Sequence, residues 1–123
     1  MSRDVPHFLV HAIGGGVVDY AAAIWQRRNL VLAVLPASDA ADTYAARLGA
    51  SRAEVTALGA ALVITRDAVP AMPAPSVLVA DEWGDIVFRA SAAHVDELPE
   101  PGELLAWLEH VEQRCPECEG EAR

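Results

Sequence analysis

The thiols of this chain are its most chemically capable side chains, and both stand in one place. The only two cysteines form Cys115-Pro-Glu-Cys118, close to the end of the 123 residues. CxxC spacing lets two sulfurs meet as a redox dithiol, or lets both bind one metal ion. Tetrahedral zinc wants four ligands, so His110 could supply a third, or a second chain could complete a four-cysteine site. The local field opposes strong nucleophilicity. A helix is expected to end just before the pair, and Glu112, Glu117, Glu119 and Glu121 surround it, which raises thiol pKa values. An exposed pair with no chemistry is the third reading.

Other candidates have plainer explanations beside the functional one. Asp39 and Asp42, three apart, could form a carboxylate pair for acid–base work, yet two acids at a helix start also stabilise it against the dipole. His7 and His11 flank a short apolar run, and that spacing on a strand does not aim both rings at one ligand. Gly14 to Gly16 lack the P-loop lysine and the dinucleotide spacing, so they read as a turn. Trp83 sits in an expected hairpin turn. There it marks a partner surface or folds back over a sheet edge.

Composition narrows the partners. The net charge is −9, and all nine basic residues are scattered arginines, so nucleic acid, whose phosphates need clustered positive charge, is not expected. No apolar run approaches the length of a membrane span or a secretory leader, which suggests a cytoplasmic protein. Thiols there are kept reduced, so a permanent structural disulfide is the less expected use. A hydrophobic fraction of 53% suffices for one core, and a single domain is expected over 1–114, with 115–123 as a tail.

These residues need a scaffold, and the patterning supplies one. Phe8 to His11 is strand-like and ends at the glycines. Val17 to Arg28 carries Val18, Ala21, Ala22 and Trp25 at helical spacing; an extended Val17 to Tyr20 followed by a shorter helix is the alternative. Leu30 to Leu35 is an unbroken apolar run, typical of a strand buried on both faces. Ser38 is placed to cap a helix through Tyr44, Ala45 and Leu48 that ends at Gly49. Ser51 and Glu54 read as a capping box opening a second short helix, which Gly59 closes. Ala61 to Thr65 is the next strand. Three prolines between Asp67 and Pro75 forbid a regular helix there. Ser76 to Ala80 and Ile86 to Arg89 form a hairpin around Gly84. Pro101 opens a final helix with Leu104, Leu105, Trp107, Leu108 and Val111 on its apolar stripe. The expected class is α/β, a mixed central sheet with helices on both faces.

Three passages resemble the thioredoxin-like fold, and in particular its peroxiredoxin or redoxin branch. Arg27 to Pro36 is similar to the family's central strand leading to the active-site helix. Ala74-Pro75-Ser76 is similar to the proline, cis in the family, that faces the reactive cysteines. Val79 to Phe88 is similar to the family's edge hairpin. The resemblance implies thiol–disulfide or peroxide-consuming antioxidant chemistry at the start of the helix after the central strand. This chain has Asp39 and Asp42 there, and carboxylates cannot perform it, so the familial site is lost. The resemblance also implies that a helix is missing between Thr65 and Pro75, where a short loop must bridge. The Gln113-Arg-Cys-Pro-Glu-Cys stretch resembles the end of some redoxin-like proteins. Two functions follow as expectations. One is redox exchange through Cys115 and Cys118. The other is a non-catalytic binding or assembly module, a homodimer included, that uses the crevice around Asp39, Pro75 and Trp83.

Overall fold

A computed structural model describes residues 4–113. Its elements run β1 (Leu9–His11), β2 (Val17–Asp19), α1 (Tyr20–Ala23), β3 (Asn29–Val34), α2 (Asp39–Ala50), α3 (Arg52–Ala57), β4 (Ala60–Thr65), β5 (Ser76–Ala80), β6 (Ile86–Ser91), a 3-10 turn (Val95–Glu97) and α4 (Pro101–Gln113).

The main sheet has the order β4-β3-β5-β6. β3 and β4 are parallel, with Val34 opposite Thr65, and β3 and β5 are antiparallel, with Val34 opposite Ser76. Every residue of β3 is buried, as its unbroken apolar run demands of a strand covered on both faces. The α/β class and the mixed sheet are as expected. The ends of β4 and β5 lie at one end of the sheet, so residues 66–75 join them without a helix.

Helices cover both faces unequally. Tyr44, Ala45 and Leu48 of α2, Val55 of α3, and Leu104 and Leu108 of α4 pack on Val31, Ala33, Val77 and Val79. Leu30, Leu32 and Leu78 point the other way and are covered by Val5, Phe8 and Val10, by Tyr20 of α1, and by Val69 and Met72 of the proline-rich loop. Strand side chains alternate between faces, so each strand feeds both cores at once.

Local chemistry explains where patterning misled. Residues 17–28 form the shorter of the two alternatives, an extended β2 that pairs with β1 before four residues of helix. Gly14, Gly15 and Gly16 all have positive φ, which turns the chain back on itself and delivers Val17 and Val18 to β1. Asp19 then caps α1, its Oδ1 accepting from the Ala22 amide at 3.3 Å. α2 runs one residue past Gly49, to Ala50. The capping box expected at Ser51 and Glu54 is absent: the Ser51 side chain makes no cap bond, because its backbone, at φ −95° and ψ 6°, is still closing α2. A reciprocal cap forms instead between His94 and Glu97.

His11 ties the hairpin to the loop after β4. Asp67 Oδ2 accepts from the His11 amide at 2.7 Å and lies 3.0 Å from its Nδ1, while the Asp67 amide donates to Thr65 Oγ1 at 2.9 Å. The backbone hydrogen bond from His11, followed by that from its ring, holds the Asp67 carboxyl below its ordinary value. A depressed carboxyl pKa stabilises the fold above the unfolded value of about 4 and loses that contribution as pH falls through the folded value. Followed by NMR, the Asp67 side-chain carboxyl should therefore stay ionised down to about pH 4 and give up its hydrogen bonds from His11 only below it. Release at pH 5 or above would disprove the linkage.

Candidate functional site

β3 buries its apolar side chains and emerges at Leu35 and Pro36, which turn the chain into α2. Ser38 caps that helix: its Oγ accepts from the Ala41 amide at 3.1 Å and its carbonyl from the Asp42 amide at 2.9 Å. Asp39 is then the first helical residue and is exposed. Across from it the Ala74–Pro75 peptide is cis, and the Pro75 carbonyl is held by the Ala92 amide at 3.2 Å. The third wall is the 3-10 turn, anchored by buried Val95 and Leu98.

Together these segments enclose a cleft of about 420 Å³ lined by Pro36, Ser38, Ala40 and Pro75 on one side and by 93–97 on the other. A second groove of about 290 Å³ continues from Ala40 and Val95 along α2 to Tyr44, Arg47 and Glu100. Tyr44 fastens its far end by donating from its hydroxyl to the Pro99 carbonyl at 2.7 Å.

The cleft has an apolar floor and an acidic rim. Asp96 and Glu97 line it, whereas Asp39, between the lining residues Ser38 and Ala40, does not. The two arginines of this neighbourhood are already paired, Arg66 with Asp42 and Arg47 with Glu100. Ser38 Oγ is committed to the helix cap, and the His94 side chain accepts from the Glu97 amide in the reciprocal cap.

The expected site residues separate into three places. Asp39, Asp42 and Pro75 gather at the end of the sheet where β3 finishes. Trp83 does not join them. The β3–β5 register puts Ser76 opposite Val34 and Ala80 opposite Leu30, so the turn after β5 lies one strand length from Pro75, on the order of 15–20 Å. Of the residues expected around the crevice, Pro75 lines the cleft, Asp39 is on α2 beside it without lining it, and Trp83 is at the far end of β5. Trp83 is 57% exposed, and its carbonyl accepts from Trp25 Nε1 at 3.3 Å.

His110 is exposed on the last turn of α4, its ring edge-on to Trp107 at 5.9 Å. α4 finishes at the same end of the sheet as Trp83, because Asn29 Nδ2 at the start of β3 donates to Glu112 Oε1 at 2.7 Å. Cys115 and Cys118 lie outside the described residues. Among the described residues no three His, Cys, Asp or Glu side chains gather as a metal-binding set, and no helix is long and apolar enough to cross a membrane. The 93–97 wall escaped sequence reading. Its one usable trace was Glu97 three residues after His94, since histidine is not a usual partner in a capping box.

Comparison with known proteins supports the fold. The solution structure of an uncharacterized thioredoxin-like protein from Bacteroides vulgatus superposes with a TM-score of 0.52, covering 91% of this chain and 99% of the other at 11% sequence identity. No family model matches the sequence, and no curated protein does either.

Proposed function

From the thioredoxin-like fold as premise, we propose that this chain is a binding module that holds a short extended segment of a partner in the cleft beside Pro75, without exchanging thiols with it. One observation carries the reading. The cleft between the α2 N-terminus and the cis Ala74–Pro75 bond is open and about 420 Å³ in volume, yet its helix begins with Ser38 and Asp39 instead of a thiol. Pro36, Pro75 and Val95 offer an apolar floor, and the rim offers hydrogen-bonding side chains. That combination suits a peptide better than it suits a reaction.

Ala40 is exposed and lines both the cleft and the groove that continues it. Peptides selected from a displayed library on the wild-type protein should lose at least about tenfold in affinity for Ala40→Trp. An exposed helical substitution of this kind leaves stability within about 0.5 kcal/mol. Selected peptides that bind Ala40→Trp as well as wild type would sink the reading.

A second reading, thiol–disulfide exchange through Cys115 and Cys118, rests on these being the only thiols of the chain. Gln113 closes α4 at the end of the sheet away from Pro75. Disulfide reduction coupled to NADPH, and peroxide consumption, decide this. Equal background rates for wild type and for Cys115→Ser/Cys118→Ser remove it.

A further inference from the structure

Trp83 stands out in solvent on a loop whose backbone carbonyls are all taken from Asp81 to Asp85. The Asp81 carbonyl accepts from the Gly84 amide at 3.0 Å, and that of Asp85 from the Asp81 amide at 3.0 Å. Neighbouring segments hold the other three. Glu82 accepts from the Gln26 amide at 2.6 Å, Trp83 from the Trp25 indole at 3.3 Å, and Gly84 from the Val5 amide at 2.8 Å. Asp81 Oδ1 also accepts from the Trp83 and Asp85 amides, at 2.9 and 3.0 Å. A backbone fixed in advance loses little freedom when a partner covers its side chain, and tryptophan is enriched among interface anchors.

Charge and aromatic character decide what suits it. The three segments that meet here, 4–7, 24–27 and 81–85, hold four carboxylates (Asp4, Asp81, Glu82 and Asp85) against one guanidinium, that of Arg27. Burial, and then the charges of Asp81 and Asp4, raises the Tyr20 hydroxyl, and a Cβ at Gly84 would stand 3.1 Å from that oxygen. The field around the loop is therefore negative. A tryptophan face is itself negative, through its quadrupole, and attracts cations better than the other aromatic faces. An apolar partner would cover Glu82 and Asp85 without giving them a counter-charge, which is unfavourable.

We infer that Trp83 anchors a second binding surface, one that takes a basic segment of a partner by seating an arginine or lysine on the indole face beside Glu82 and Asp85. The indole supplies cation–π attraction, and the two carboxylates add Coulomb attraction of the same sign. Arginine is the better fit, since its planar guanidinium stacks on an aromatic face and still offers N–H groups to a carboxylate. This surface is separate from the cleft beside Pro75, which lies at the other end of β5, so either can fail without the other.

The probe is a fluorescein-labelled, acetylated hexapeptide alternating glycine and arginine, with the glycine–glutamate counterpart as control, titrated into the full chain by anisotropy. Binding of the arginine peptide alone is expected, weakening as salt rises and shifting the Trp83 indole N–H resonance more than that of Trp107. The whole chain carries a charge of −9, so the deciding variant is Trp83→Leu, which keeps an apolar side chain and removes none of the loop's hydrogen bonds. It should weaken binding about two- to fivefold, the range for one exposed cation–π contact. Glu82→Gln/Asp85→Asn should weaken it by a similar factor. Equal affinity for the glutamate peptide, indifference to Trp83→Leu, or no binding at millimolar peptide overturns the proposal. So does a concentration-dependent dimer in sedimentation that shifts the Trp83 indole, since the occupant would then be a second copy.

Discussion

Raising the pH from 10 to 12 should unfold this protein, with both of its tyrosines ionising in that same transition. Tyr20 and Tyr44 are the only tyrosines of the chain, and both are buried. Burial pushes the Tyr20 hydroxyl up to about 12, with Asp81 and then Asp4 adding in the same direction. Burial likewise pushes Tyr44 up to about 12, against a smaller opposing effect of Arg47 and with a further rise from Glu103. The sign follows from proton counting. Between pH 10 and 12 the folded chain keeps both phenolic protons while the unfolded chain has released them, so stability falls as pH rises.

One pH unit of difference is about 1.4 kcal/mol per group, so two groups over about two units forfeit on the order of 5 kcal/mol. That is comparable to the whole stability of a small domain. Tyr44 adds a structural reason, since only the neutral phenol can donate to the Pro99 carbonyl. Tyrosinate absorbance and far-UV circular dichroism should change together near pH 11–12. The Tyr20→Phe/Tyr44→Phe variant should stay folded to higher pH, and Tyr20 gives up no hydrogen bond by the change because its hydroxyl has no partner among the described residues. Tyrosinate absorbance rising near pH 10 with unchanged dichroism would refute the linkage.

Leu32→Ala should cost about 3 kcal/mol and lower the melting temperature by about 10 °C. Leu32 is 0% exposed at the centre of β3, between Val63 of β4 and Leu78 of β5. It faces the side covered by Phe8, Val10, Tyr20 and Met72, where the cover is a hairpin, one helical turn and a proline-rich loop in place of long helices. Close packing over Leu32 means that truncation leaves a cavity the neighbours cannot fill. Denaturant unfolding measures the loss directly. A cost below about 1 kcal/mol would mean that the hairpin and loop are a loose cover, and the two-core description would fail.

The elements of the main sheet were legible because their causes are local. Six consecutive buried residues in β3, the Ser38 cap, the positive φ of Gly84 between β5 and β6, and Pro101 opening α4 are each dictated by the residues that show them. Residues 17–28 were harder. Their helical spacing is real, but the pairing of β2 with β1 competes with it, and a pairing between separated segments leaves no mark in either one alone. The failed cap at Ser51 has the same character: its type suits a capping box, but closing α2 occupies its backbone first.

Sequence by itself determined that this is an α/β chain with a buried central strand, that Asp39 and Asp42 follow the Ser38 cap, and that its only thiols are Cys115 and Cys118. Each is a property of residue type and order. Tertiary structure alone decided that Trp83 and Pro75 lie at opposite ends of one strand, that the 93–97 turn walls the cleft, and that Val5, Trp25 and Gln26 fasten the Trp83 loop. These depend on strand register and on which elements meet across the sheet. Distances of that kind are set by the packing of the whole chain, not by any segment of it.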